Sequence, residues 1–208
     1  MTSGKLGFII GGKCQLTWNR TNDYYASGEW RGTWSREGGG VIINQAIHAL
    51  DLMRWLVDEE IEYVDAAYRT LAEVEIEVEN SAEGIISYKN GVKTNFWITN
   101  TYCMDSPITI ELICEKGIAQ ISGDQVSIRF HNGDTLYADG KQRSNSSSEL
   151  DGQGKDYWGT MHSEQIADFY HHLATGEGML VEAHEVLRTQ KMVDMIYRSG
   201  RENQRIYM

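Results

Sequence analysis

The stretch SAEGIISYKNGVKTNFWITNTY, Ser81 to Tyr102, decides the fold class. Asn90-Gly91 at its centre is a strong hairpin signal, because both residues tolerate the positive φ that a tight turn between twisted strands requires. The flanks, Ser81–Lys89 and Val92–Tyr102, therefore read as antiparallel strands. On the second strand Val92, Thr94, Phe96 and Ile98 fall on one side, and Lys93, Asn95, Trp97, Thr99 and Thr101 on the other. A period of two sends one set into a core and leaves the other outside.

Working outward, Ile108–Glu115 repeats the alternation, with Ile108, Ile110, Leu112 and Cys114 opposite Thr109, Glu111, Ile113 and Glu115. Ile118–Ser122 and Val126–Phe130 continue the meander, and Asn132-Gly133 turns it into Thr135–Ala138. Upstream lie strands at Ile61–Leu71 and Leu6–Trp18, the latter with Gly11-Gly12 as a bulge or bend. Helices are expected at Val41–Val57, stopped by Asp58, and at Thr160–Thr175 and Ala183–Ser199, with a closing strand at Arg205–Met208. Asn19–Glu37 and Asp139–Lys155 read as loops. Strands joined by tight turns pair antiparallel, so the chain is α+β: a large, mainly antiparallel sheet with helices packed on one face. The other face mixes Trp97 and Ile113 with polar residues, the composition of a subunit contact, and is available for oligomerisation. A plain solvated face is the competing reading.

The composition narrows the partners. A formal net charge of -11 opposes a phosphate backbone and an anionic membrane surface, so neither nucleic acid nor membrane is expected as a partner. No apolar run reaches the ~18 residues of a membrane span. Cys14, Cys103 and Cys114 match no metal spacing and read as buried free thiols in a reducing cytoplasm. Glu73, Glu75, Glu77 and Glu79 alternate with Val74, Ile76 and Val78, which reads as a strand or extended connector with one solvated acidic face.

The first long helix carries the chemistry. Ile43, Ala46, Leu50 and Met53 form its apolar stripe, and Asn44, His48 and Asp51 line up at i, i+4 and i+7 on the opposite side. A histidine there can move a proton near neutral pH, and an amide or carboxylate one turn away can orient it or hold a substrate hydroxyl. The same line also reads as a solvated face with a structural histidine. Gly38-Gly39-Gly40 before the helix suits either a phosphate site or close packing of helix on loop. The loop holding Tyr24, Tyr25, Trp30, Arg31 and Trp34 is aromatic enough to bind sugar C–H faces, with Arg31 and Tyr25 reaching hydroxyls. Its rings could equally pack on the sheet. His162 is a further candidate wall of the cleft. No spacing calls for a metal. Gly152-Gln153-Gly154 fails as a dinucleotide fingerprint, since its next glycine is Gly159 and no strand precedes it.

Taken in order, these segments resemble the C-terminal domains of the glucose–fructose oxidoreductase, inositol 2-dehydrogenase and rhizopine-catabolism (Gfo/Idh/MocA) family. The resemblance rests on Gly4-Lys5-Leu6-Gly7, Tyr24-Tyr25 with Trp30 to Trp34, and Gly38 to Asp51, read as Gly-Gly-Gly-x-x-x-(Asp/Asn)-Gln-x-x-His-x-x-Asp. His162 with Ile166-Ala167-Asp168-Phe169, and Ile196-Tyr197-Arg198-Ser199, extend it along the chain. It implies a Rossmann domain binding NAD or NADP and a Glu-Lys-Pro lysine, neither expected within residues 1–208; Lys116 precedes glycine rather than proline. It implies that His48 is the acid/base, that His162 lines the pocket, and that the outer sheet face makes dimers or tetramers. Asn44 stands where the family often has aspartate.

The expectation is therefore a single substrate-binding and oligomerisation domain, residues 1–208, of an NAD(P)-dependent oxidoreductase of sugars or cyclitols, inactive alone. His48 is its catalytic residue, and Asn44, Arg31, Tyr25, Trp30, His162 and Asp51 bind a polyol or sugar. It holds no cofactor or metal of its own. The alternative is a non-catalytic sugar-binding or oligomerisation module.

Overall fold

The computed structural model describes residues 4–71, 74–140, 160–179 and 181–208. The elements run β1 (Ile9–Thr17), α1 (Asn22–Ala26), a π-helical turn (Ile42–Ala46) leading into α2 (Ile47–Val57), β2 (Ile61–Arg69), β3 (Ser81–Tyr88), β4 (Lys93–Thr99), β5 (Thr109–Cys114), β6 (Gly117–Ser122), β7 (Gln125–Phe130), β8 (Thr135–Asp139), α3 (Thr160–Thr175), α4 (Ala183–Glu202) and β9 (Ile206–Tyr207). They fall into two compact units, Met1–Asp139 with Thr189–Met208, and Gly140–Arg188.

In the first unit the described strands form one nine-stranded sheet, ordered β8-β7-β6-β5-β1-β4-β3-β2-β9. Seven neighbouring pairs are antiparallel, among them those joined by short turns (β3–β4, β5–β6, β6–β7 and β7–β8), and β1 runs parallel to β4. The predicted hairpin holds: Gly91 takes φ 85° and donates to the Tyr88 carbonyl at 2.9 Å, and Asn90 Oδ1 accepts the Val92 N–H at 3.0 Å. The register of β1 shifts between Ile9 and Gly11, the bulge anticipated at the glycine pair.

One sheet face is the core. Leu16, Ile86, Ile98, Ile110 and Leu112 are buried there with Leu50 and Met53 of α2 and Met192 and Ile196 of α4. Burying each such side chain stabilises the fold by about 1.5–3 kcal/mol. In α2 the buried positions Ala49, Leu50, Met53 and Val57 recur at helical spacing. The helix stops at Asp58, which is left-handed (φ 49°, ψ 49°) and donates its N–H to the Arg54 carbonyl at 2.9 Å. The opposite sheet face is open, and Ile85, Trp97 and Ile113 project from it, each more than two-fifths exposed.

Four expectations need correction. The first helix begins with a π turn instead of an α turn. The Asn19–Glu37 loop contains the short helix α1. Cys103 is exposed while Cys14 and Cys114 are buried, because β4 ends at Thr99 and Cys103 has left the sheet. The acidic connector is not uniformly solvated: Glu79 is buried. Ala72 and Glu73 lie outside the described residues, as do residues 141–155 of the predicted second loop, with the failed glycine fingerprint within it, and residues 156–159 after it.

In the second unit α3 is amphipathic, and Ile166, Phe169, Tyr170 and Leu173 are exposed along one stripe. His162 lies on this helix and is exposed. Among the described residues no helix is long and apolar enough to cross a membrane.

Candidate functional site

The site is built around the start of the first long helix. The first backbone N–H groups of a helix have no partner inside it. Here Glu79 supplies one. Its carboxylate accepts the Gly40 N–H at 2.9 and 3.0 Å, the Ile42 N–H at 3.0 Å and the Tyr197 hydroxyl at 2.9 Å. A side chain at Gly40 would collide with the Glu79 carbonyl, and one at Gly39 with the Tyr197 hydroxyl. Close packing, not an open phosphate cradle, is thus what the glycines permit. Burial pushes the Glu79 carboxyl above its ordinary pKa, against the pull of these donors.

The π turn then presents Asn44 and Gln45. π turns widen a helix locally and recur at functional sites. Asn44 is half-buried and donates its Nδ2 to Glu37, whose other oxygen accepts the Gly32 N–H at 2.5 Å. A carboxylate can only accept, so the amide is oriented and its Oδ1 faces away from Glu37. His48, one turn on, is exposed, and its side chain makes no hydrogen bond with another described residue. Asp51 Oδ1 accepts from Arg54 Nη2 at 3.2 Å and from the Thr189 hydroxyl, which itself accepts Arg54 Nε at 3.0 Å. One Asp51 oxygen therefore ties α2 to α4.

The aromatic loop meets the π turn through Tyr24. Its hydroxyl oxygen accepts Arg31 Nη1 at 2.5 Å and Gln45 Nε2 at 2.9 Å, and Gln45 Oε1 accepts Asn100 Nδ2 at 3.0 Å. The Arg31 guanidinium stacks 4.3 Å from the Tyr24 ring centre and 4.2 Å from that of Trp30. Tyr25 is buried and edges Tyr24 at 5.1 Å, and burial raises its phenol pKa. Its hydroxyl and Asn100 Oδ1 are buried without a partner in hydrogen-bond geometry among the described atoms. Trp30 is exposed. Trp34 turns elsewhere, packing on Tyr68 and Tyr197 and donating Nε1 to the Glu77 carbonyl at 2.9 Å.

Of the predicted residues, Asn44, His48 and Asp51 share one helical segment, and a chain of hydrogen bonds connects Arg31 to it. Tyr25 adjoins Tyr24 from beneath. His162 belongs to the other unit. Glu37, Gln45, Glu79 and Asn100 went unrecognised in the sequence. Gln45 had a signal, since it sits three residues after Ile42 and four before Ala49 on the buried side, where an amide must find partners. A depression of about 420 Å³ beside Trp34, Tyr68, Arg69 and Glu77 contains none of the predicted site residues. Among the described residues no three or more His, Cys, Asp or Glu side chains converge as a metal site.

Residues 1–120 match the family described as the GFO/IDH/MocA C-terminal domain. Among solved structures, the WlbA dehydrogenase from Bordetella pertussis in complex with NADH and UDP-GlcNAcA is 24% identical, with a TM-score of 0.76, the match covering 100% of this chain and 56% of that one. The aldose-aldose oxidoreductase from Caulobacter crescentus complexed with glycerol is 19% identical, with a TM-score of 0.76 over 100% and 58%. Levoglucosan dehydrogenase in complex with NADH and levoglucosan is 20% identical, with a TM-score of 0.78 over 100% and 60%. At these identities the likeness is one of fold. The chain spans 56% to 60% of the length of these three structures. No curated protein matches it.

Proposed function

The chain belongs to the GFO/IDH/MocA C-terminal domain family, and on that premise we propose that it is the substrate-side domain of an NAD(P)-dependent oxidoreductase acting on a CH–OH group of a sugar or cyclitol. The observation that carries this reading is the arrangement on the first long helix: an oriented Asn44 amide one turn from an exposed His48, tied through Gln45 and Tyr24 to Arg31. His48 takes the proton of the reacting hydroxyl, and Asn44 Oδ1 accepts a hydrogen bond from a neighbouring hydroxyl of the same sugar. Arg31 and Trp30 form the outer wall, where an indole face suits sugar C–H groups. Tyr25 supports that wall from beneath, and Asp51 anchors the helix. The sugar-type ligands printed for the related structures, UDP-GlcNAcA and levoglucosan, support the substrate class.

The residues described do not fit a dinucleotide. A pyrophosphate needs free N–H groups at a glycine-led helix start, and here those of Gly40 and Ile42 are held by a carboxylate, which also repels phosphate. The reading therefore assigns the nicotinamide to a separate domain and no step to it here. Oligomerisation through the open sheet face, where Trp97 and Ile113 stand exposed, belongs to the same proposal. So does a cytoplasmic location, supported by three unpaired cysteines.

Two titrations of the chain test the reading. NAD or NADP gives no calorimetric binding signal; micromolar affinity for either would overturn the division of labour. Sugars and inositols raise the melting temperature. At a hundred times Kd a ligand stabilises by about 2.7 kcal/mol, which is roughly 5–11 °C for a domain of this size. The absence of any shift across the set would remove the substrate-binding role.

A further inference from the structure

We propose that Arg31 selects an anionic sugar: the site takes a substrate bearing a carboxylate or a phosphate group as well as its reacting hydroxyl. The inference rests on the sugar-site reading above and adds the charge of the ligand. Its basis is that Arg31 is half-buried and charged, yet forms no ion pair with a carboxylate of the described residues. In a chain with 30 acidic side chains that is notable. Arg20, Arg54, Arg69 and Arg205 each face an aspartate or glutamate within 3.6 Å. Glu37, nearest in sequence on the helix side, has its oxygens engaged by Asn44 and the Gly32 N–H.

Arg31 is also held in place. Tyr24 accepts its Nη1, and the rings of Tyr24 and Trp30 support its plane, so the remaining edge of the fork keeps free N–H donors. A planar guanidinium with a free edge matches carboxylate and phosphate oxygens in two-point fashion. Tyr24 adds to this. Its oxygen already accepts from Arg31 and Gln45, which leaves its own O–H to donate. The subsite consists of donors only, and it is coupled to Gln45, the neighbour of Asn44. A neutral polyol could use one such donor; an anion uses all of them. Because the whole chain is acidic, attraction of an anion must come from such a local feature.

The test compares D-glucuronate with its neutral isostere D-glucuronamide, and D-glucose 6-phosphate with D-glucose, by calorimetry on the 208-residue chain. The expected result is about tenfold or tighter binding of at least one anion over its neutral partner, shrinking as KCl is raised. Glucuronate alone or glucose 6-phosphate alone identifies which anionic group is read. In Arg31→Gln the anion loses more affinity than its neutral partner and the preference falls to about onefold, and Arg31→Lys, which keeps charge without the fork, lies between. An unchanged circular dichroism spectrum and melting temperature show that each variant is folded. Equal binding of anion and neutral partner, or a preference that survives Arg31→Gln, overturns this inference and leaves the sugar site standing. Failure of every sugar to bind overturns both.

Discussion

Removing the Glu79 side chain is the sharpest test of how the site is held. Glu79→Ala strands three buried donors at once: the N–H groups of Gly40 and Ile42 and the Tyr197 hydroxyl. Each buried donor left unsatisfied costs about 1–3 kcal/mol. Some relief from no longer burying a carboxylate gives a net loss of roughly 3–6 kcal/mol, against a total stability of about 5–15 kcal/mol. The melting temperature falls by roughly 6–24 °C at ~2–4 °C per kcal/mol. Urea unfolding followed by circular dichroism measures the loss directly. Glu77→Ala is the control, since Glu77 offers its carboxylate only to an exposed Trp34 N–H at 3.1 Å and should cost under about 1 kcal/mol. The pH dependence carries a second signature. Burial raises the Glu79 pKa in the folded chain above its ordinary value of 4.5, so between those two values the folded state binds more protons than the unfolded one. Its contribution is present below that ordinary value and is lost as pH rises through the raised one. Glu79→Gln removes this slope. A loss below about 1 kcal/mol in Glu79→Ala, equal to that of the Glu77 control, would refute the capping argument.

Two further outcomes follow from burial. Thiol labelling of the native chain should show one fast group, Cys103; burial raises the pKa of the Cys14 thiol to about 12 and also pushes the Cys114 thiol above its ordinary value, so both react only after unfolding. Fast labelling of all three without denaturant would contradict the core. Trp97→Asp combined with Ile113→Asp should convert an oligomer to monomer in light-scattering measurements with little change in melting temperature, because both side chains are exposed on the open sheet face. A monomeric parent chain, or an assembly unchanged by the two substitutions, would overturn the proposed contact.

Local chemistry was readable from sequence wherever one short segment settles it. Asn90-Gly91 carries its own turn, Asp58 its own helix stop, and the two-residue alternation of Lys93–Thr99 and Thr109–Cys114 its own inside and outside. What escaped depends on partners far along the chain. The parallel pairing of β1 with β4 has no local turn to announce it. Glu79 looks like the last of four alternating glutamates, and only the glycine turn that meets it makes it a cap. Glu37 looks like an ordinary loop acid until Asn44 folds back onto it. The helix line of Asn44, His48 and Asp51 was visible by spacing alone, whereas the π turn beneath it was not, since the wheel assumes one pitch throughout.

The central position of β1 also has a consequence for biosynthesis. Of the strands of this sheet β1 is synthesised before either of its neighbours, yet its register joins Gln15 to Trp97 on one side and to Thr109 on the other. At about 5–20 residues per second the nascent chain carries this keystone unmatched for on the order of 5–20 s. During that interval the β2–β4 meander can zip by local contacts while β1 still offers two bare edges. Chaperone dependence during translation should therefore track codon speed between Trp18 and Thr109 more than elsewhere in the stretch that encodes residues 1–208.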